Sequence, residues 1–202
     1  MKGLCHRGRQ ELPEAIAAYE EAIEIARALP DVRVNVVLDN LAMAYLYSDR
    51  PADALRCLNE ALAIEEATGN VHATLLNNIG EAHRHLGQYE QALPYLERGL
   101  AIALESGDSI AAYVLATLGE THLSLENHRE AADYSRRGLT VSRGLNHAYL
   151  TAKLLDYEGS ALAALGDQAA ARRSWTEALE LYDRLELPDA QVVRARIAEL
   201  EG

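Results

Sequence analysis

The stretch Leu75–Ala103, LLNNIGEAHRHLGQYEQALPYLERGLAIA, sets the small residues Gly80, Ala92 and Gly99 among large apolar ones. The same layout recurs. Residues 38–64 read LDNLAMAYLYSDRPADALRCLNEALAI and place Ala42, Ala54 and Ala61 at the matching positions. Residues 115–141 read LATLGETHLSLENHREAADYSRRGLTV, with Gly119, Ala131 and Gly138. Residues 155–181 read LDYEGSALAALGDQAAARRSWTEALEL, with Gly159, Ala171 and Ala178. A partial copy opens the chain, where Ala15 and Ala22 keep the spacing of seven. Self-similarity at a steady period near 39 residues marks a stacked repeat architecture.

The copies read as helix pairs. Helices are expected at 13–28, 31–47, 52–67, 70–86, 89–105, 108–125, 128–143, 147–164, 168–184 and 189–201. In the first, Ala15, Ile16, Tyr19, Ala22, Ile23 and Ala26 share one face at the 3.6-residue period. Asp31, Asn70, Asp108, Asn146 and Asp189 stand where a side-chain oxygen caps the first turn of a helix. Leu-Pro-Asp at 29–31 and 187–189 ends one helix and starts the next. Gly87 and Gly166 suit the left-handed turn within a pair. Asp49-Arg50 and Glu126-Asn127 lack that glycine, and Asn127 is the expected substitute. Close helix crossings need one small side, so Gly80 is expected to face Ala92. Gly99 is expected to open its helix to the first helix of the next repeat.

Composition agrees. Ala, Leu and Glu dominate, Phe is absent, and the charged share of 25% belongs to a folded, water-soluble helical class. Formal charge is −12, which repels phosphate backbones and argues against direct DNA or RNA binding. The two cysteines, Cys5 and Cys57, have no CxxC partner and read as reduced thiols of a cytoplasmic protein. MKGLCHRGRQ lacks the apolar run of a signal peptide, and no stretch nears the roughly 20 apolar residues of a membrane span.

The recurring set resembles the tetratricopeptide repeat (TPR) over nearly the whole chain. Leu41-Ala42, Ile79-Gly80 and Leu118-Gly119 match its first signature, and Ala54, Ala92, Ala131 and Ala171 match the alanine of its second helix. Tyr45 matches the aromatic between them, which His83 and His122 replace in two copies. Leu38, Leu76, Leu115 and Leu155 stand where the family often has a large aromatic. The long period is similar to the repeats of kinesin light chains and of large bacterial regulators, and Pro94 inside a helix recurs in that type. Residues 165–202 resemble the ending of large actinobacterial antibiotic regulatory transcription regulators.

The resemblance implies an all-α, right-handed α-solenoid of antiparallel helix pairs in one array. A partial repeat at 1–29 precedes repeats at 30–68, 69–106, 107–145 and 146–186, and a helix at 189–201 caps the last. Ala190, Val193, Ile197 and Leu200 share the face that would seat the cap. The chain opens inside a repeat, so earlier sequence is expected to precede it in the native protein.

In that fold the first helices line a groove. The aligned groove positions are Asp39, Asn77, Ala116 and Asp156, then Asn40, Asn78, Thr117 and Tyr157. Met43, Glu81, Glu120 and Ser160 follow, with Val36, Thr74, Tyr113 and Lys153 one turn earlier. The resemblance implies that Asn40 and Asn78 hold the backbone of an extended peptide. The alternative is that they bond only within the array. Arg84 and Lys153 are too sparse to grip an acidic C-terminal tail, so neutral or basic segments are the expected partners.

The implied function is protein or peptide recognition as the regulatory domain of a bacterial transcription regulator, through another domain of the same chain or a separate partner. A stand-alone scaffold is one alternative. A small-molecule sensor with a pocket near Met43, Tyr113 and Tyr157 is another. No catalytic centre, cofactor or metal site is expected. His83 and His85 point to different sides of one helix, His122 and His128 lack a ligand-spaced partner, and GxxxxGK[ST] and GxGxxG are absent. The many glutamates, Glu65 and Glu66 among them, read as solvated helix faces.

Overall fold

The computed structural model describes residues 12–28 and 33–200. Among these, ten helices and no strand occur. They are α1 (Leu12–Arg27), α2 (Val34–Tyr47), α3 (Pro51–Thr68), α4 (Ala73–His85), α5 (Tyr89–Ser106), α6 (Ala111–Ser124), α7 (His128–Gly144), α8 (Ala148–Ala164), α9 (Gln168–Arg184) and α10 (Asp189–Glu199). The expected all-α class of packed helix pairs with a short C-terminal helix is the one observed. Cys5, the segment 29–31 and residue 201 of the capping helix lie outside the described residues. No described helix is long and apolar enough to cross a membrane.

Two compact units divide between Gly99 and Leu100. In the first, α1 packs on α2, α2 on α3 and α3 on α4, while the first helices α2 and α4 also touch. Leu38, Leu41, Leu58, Leu76, Ile79 and Leu96 fill its interior. In the second, α6 packs on α7, α7 on α8, α8 on α9 and α9 on α10, and the first helices α6 and α8 touch. Leu150, Leu154, Leu155, Trp175, Tyr182 and Val193 belong to one buried cluster there. The capping helix sits on that cluster through Ala190 and Val193, with Ile197 and Leu200 partly buried beside them.

One turn type ends every helix from α2 to α9. A residue in the left-handed region follows each: Asp49, Gly69, Gly87, Gly107, Glu126, Asn146, Gly166 and Glu186. The next amide reaches back to a carbonyl in the last helical turn, as in Arg50 N–H to Tyr45 O (2.9 Å) and Asn127 N–H to His122 O (2.9 Å). This is the Schellman closure, which satisfies carbonyls the helix leaves unpaired. Gly87 and Gly166 behave as expected. At 126–127 the left-handed residue is Glu126 (φ 58°) and not Asn127.

The capping expectation needs correction. Asn146 is the left-handed residue that closes α7. His147 caps α8 instead, its Nδ1 accepting the Leu150 amide (3.3 Å). Asp108 accepts the Ile110 amide (3.0 Å), but in a turn that precedes α6. The α4 cap position is His72, and Asp189 is already the first residue of α10. The Schellman turn uses these Asp and Asn positions to finish one helix, so α4 and α6 start three residues later than the sequence implies.

Small residues do mark close crossings, with different partners. A Cβ on Gly80 would lie 2.3 Å from Leu96 Cδ2, so Leu96, and not Ala92, fills the space it leaves. Gly99 abuts Leu76 and Ala73, in the first helix of its own repeat. At the positions equivalent to Gly80, Gly119 faces Ser135 and Gly159 faces Trp175. The residue sixteen further on is therefore the filler in these three copies.

Candidate functional site

The candidate residues sit on the first helices of both units. In the first unit Asn40 is exposed and Asp39, Met43 and Glu81 are half-buried, whereas Asn77 and Asn78 are buried. Asn78 Nδ2 donates to Asp39 Oδ1 at 2.9 Å, which ties α4 to α2. Val36 and Thr74, one turn earlier, are exposed.

In the second unit Thr117 is buried and its hydroxyl donates to the Tyr113 carbonyl (3.1 Å). Glu120, Lys153 and Tyr157 come together between α6 and α8. Tyr157 Oη donates to Glu120 Oε2 at 2.5 Å, Lys153 Nζ lies 3.9 Å from the same oxygen, and that ammonium stands 5.5 Å over the Tyr157 ring. The Tyr113 ring is exposed and meets His147 edge-on, with Tyr113 Oη 2.7 Å from His147 Nε2. His147 Nδ1 accepts from the backbone, so Nε2 carries the proton of the neutral ring and donates to the phenol.

Asp156 plays a structural part. Trp175 Nε1 donates to its Oδ1 (3.0 Å) and to its carbonyl (3.2 Å), and Arg196 of α10 pairs with Oδ1. Burial holds the Asp156 carboxyl above the usual range, and Arg196 and Trp175 pull against that shift. Asp39 is likewise raised by burial, opposed by the Asn78 hydrogen bond and reinforced by the charge of Glu65.

Glu65 departs from its expected place on a solvated face. Its side chain is 8% exposed. It accepts from Asn35 Nδ2 (2.9 Å) and from the His72 amide (2.8 Å), with the His72 ring Nδ1 at 3.0 Å. The signal was present, because the buried stripe Ala54, Leu58 and Ala61 continues at the same spacing to residue 65. Around this group the starts of α2 and α4 and the end of α3 enclose a cleft of ≈ 660 Å³, which Arg33, Val34, Val36, Asp39, Ile64, Glu65, His72 and Leu75 help to line.

His83 and His122 do the packing work expected of an aromatic. Both are buried, and they stack on Tyr95 (5.5 Å) and Tyr134 (5.2 Å). Tyr45 holds the same position in the first full copy, where its hydroxyl donates to Glu20 Oε1 (2.5 Å). Burial and that carboxylate push the Tyr45 phenol up to about 12.

A family model described as tetratricopeptide repeat matches residues 1–67 and 71–144. The chain belongs to the tetratricopeptide repeat family. The TPR pair α8–α9 lies beyond the matched residues and repeats the same Gly159–Trp175 crossing. Solved structures agree on the fold. BtubC (BKLC) from P. vanneervenii is similar at 20% identity and TM-score 0.77, over 87% of this chain and 75% of that one. The apo form of RapI aligns at 20% identity and TM-score 0.78, over 92% and 69%. YrrB, described as a TPR protein with an unusual peptide-binding site, aligns at 19% identity and TM-score 0.63, over 93% and 84%.

Proposed function

We propose that this TPR chain recognises a protein through an extended segment laid along the first helices within one of its compact units. The observation that carries the reading is how those helices divide their side chains. Asn77, Asn78 and Thr117 are spent inside the fold, while Val36, Asn40, Thr74 and Tyr113 stay exposed on the same helices, with Lys153 and Tyr157 half-exposed. Exposed amide and hydroxyl groups in the first unit, and aromatic and ammonium groups in the second, suit a peptide backbone with mixed side chains. The peptide-binding site named for YrrB supports the reading by analogy. The net charge of −12 favours neutral or basic segments.

The finer proposal is that the recognition is regulatory and serves a bacterial transcription regulator in the cytoplasm, through its own domains or a partner. It is supported by the resemblance of residues 165–202 to the endings of such regulators. The protein is expected to be no enzyme, with Asp39, Asn40, Met43, Asn77, Asn78 and Glu81 in the first unit, and Tyr113, Thr117, Glu120, Lys153, Asp156 and Tyr157 in the second, as contacts or supports.

Peptide-display selection on the purified chain tests the recognition. Enrichment of neutral or basic sequences is expected; no enrichment over an unrelated helical protein, or tight binding of an acidic C-terminal peptide, contradicts it. An immunoblot of source cells tests the regulator. A band well above the 22.1 kDa of this chain is expected, and a band at that mass opposes it.

A further inference from the structure

We propose that the cleft bounded by the starts of α2 and α4 and the end of α3 receives one arginine or lysine side chain of the bound segment. The proposal rests on the peptide-recognition reading above and assigns the chemistry of one subsite within it.

The cleft measures ≈ 660 Å³ and joins two kinds of surface. Val34, Val36, Ile64 and Leu75 give it apolar walls. Asp39 and Glu65 give it carboxylates, one half-buried and one buried. Buried charge is costly unless a counter-charge or hydrogen bonds offset it. Here the offset comes from dipoles. Asn78 donates to Asp39, and Asn35 and the His72 amide donate to Glu65. His72 adds a formal charge only when protonated. Burial holds the Asp39 carboxyl above the usual range against the Asn78 hydrogen bond, and the charge of Glu65 adds to that. Arg33 borders the cleft from an exposed position and forms no ion pair with either carboxylate.

A long cationic side chain complements both surfaces. Its methylene stem lies against apolar walls while its head reaches acceptors, and a guanidinium makes charge-assisted bonds to carboxylates. An acidic or short polar side chain gains neither. The net charge of −12 adds attraction for a basic segment during approach.

The test uses two capped heptapeptides that differ at the central residue, arginine in one and its neutral isostere citrulline in the other. Both are titrated into the isotope-labelled chain by NMR. The arginine peptide is expected to bind about tenfold more tightly. Its shifts should centre on Asn35, Asp39, Glu65 and Leu75. Asp39→Asn and Glu65→Gln should each weaken it about fivefold or more, with exposed Asp133→Asn as an unchanged control. Arg33→Ala should tighten it. Circular dichroism checks the fold of each variant, and Asp39→Asn keeps an acceptor for Asn78 if Glu65→Gln fails to fold. Equal affinity for the two peptides, or undiminished binding to folded Asp39→Asn, overturns the inference. If display-selected peptides bind but ignore both cleft substitutions, the subsite falls and the recognition reading stands. If no selected peptide binds at all, both fall.

Discussion

Replacing Gly159 by alanine tests the packing argument at a tight crossing whose partner is a rigid, hydrogen-bonded indole. The new Cβ would lie 2.5 Å from Trp175 Cδ1 and 2.6 Å from Nε1. Trp175 is 5% exposed, and its indole is held on Asp156, so it has little freedom to move aside. Overpacking costs about 1–3 kcal/mol, and loss of the indole–carboxylate bond adds about 1.5–3. Alanine returns about 1 kcal/mol of helix propensity. The net loss is therefore about 1.5–5 kcal/mol. With a urea slope of about 2 kcal/mol/M, the unfolding midpoint should fall by about 0.75–2.5 M. Trp175 is the sole tryptophan, so its emission reads the transition beside far-ultraviolet dichroism. Gly144→Ala is the control, because nothing lies within 4 Å of its Cβ. That variant should gain slightly. If Gly159→Ala matches Gly144→Ala in midpoint, the crossing is not as tight as described and the reasoning fails.

Other outcomes follow from the turns and charges. Glu126→Gly and Glu186→Gly relieve left-handed backbone and should each raise stability by about 0.5–1 kcal/mol in the same assay, whereas Gly87→Ala should lose about 1. Arg196→Ala removes the cation on half-buried Asp156 and should cost about 1–3 kcal/mol, trimmed because the arginine is itself 37% exposed; hydrogen exchange should show α10 opening first. Asp39 has a folded value above its ordinary 3.8. Its contribution to stability is thus full below that ordinary value and is lost as pH rises through the folded one. Asp39→Asn should therefore gain on the parent at pH 7, with the gap closing on acidification; a gap independent of pH would contradict the assignment.

Much of this fold is legible in one dimension because TPR units repeat. Ten helices follow from the apolar period, and most predicted ends agree with the observed ones within about three residues. The small positions mark crossings, but their partners do not follow from spacing alone. Gly80 pairs with Leu96 because side chains on the second helix lean over the turn before them, a direction that a linear pattern lacks. The caps differ from expectation for a related reason, since Asn146 suits both a helix start and a left-handed turn, and only the closure of the preceding helix decides. The groups that tie helices together were least visible. Asp156 meets Trp175 nineteen residues away and Arg196 forty away, and Glu65 reads as surface until the stripe it continues is followed to its end.

The central claim is that the first helices carry recognition. Photo-crosslinking with a display-selected peptide bearing a benzophenone, followed by mass spectrometry of the joined residues, tests it most directly. Crosslinks are predicted on the first helices of a unit, either α2 and α4 near Val36, Asn40 and Thr74 or α6 and α8 near Tyr113 and Tyr157. Crosslinks confined to α3, α5, α7 and α9 would contradict the account, whatever the affinity of the peptide.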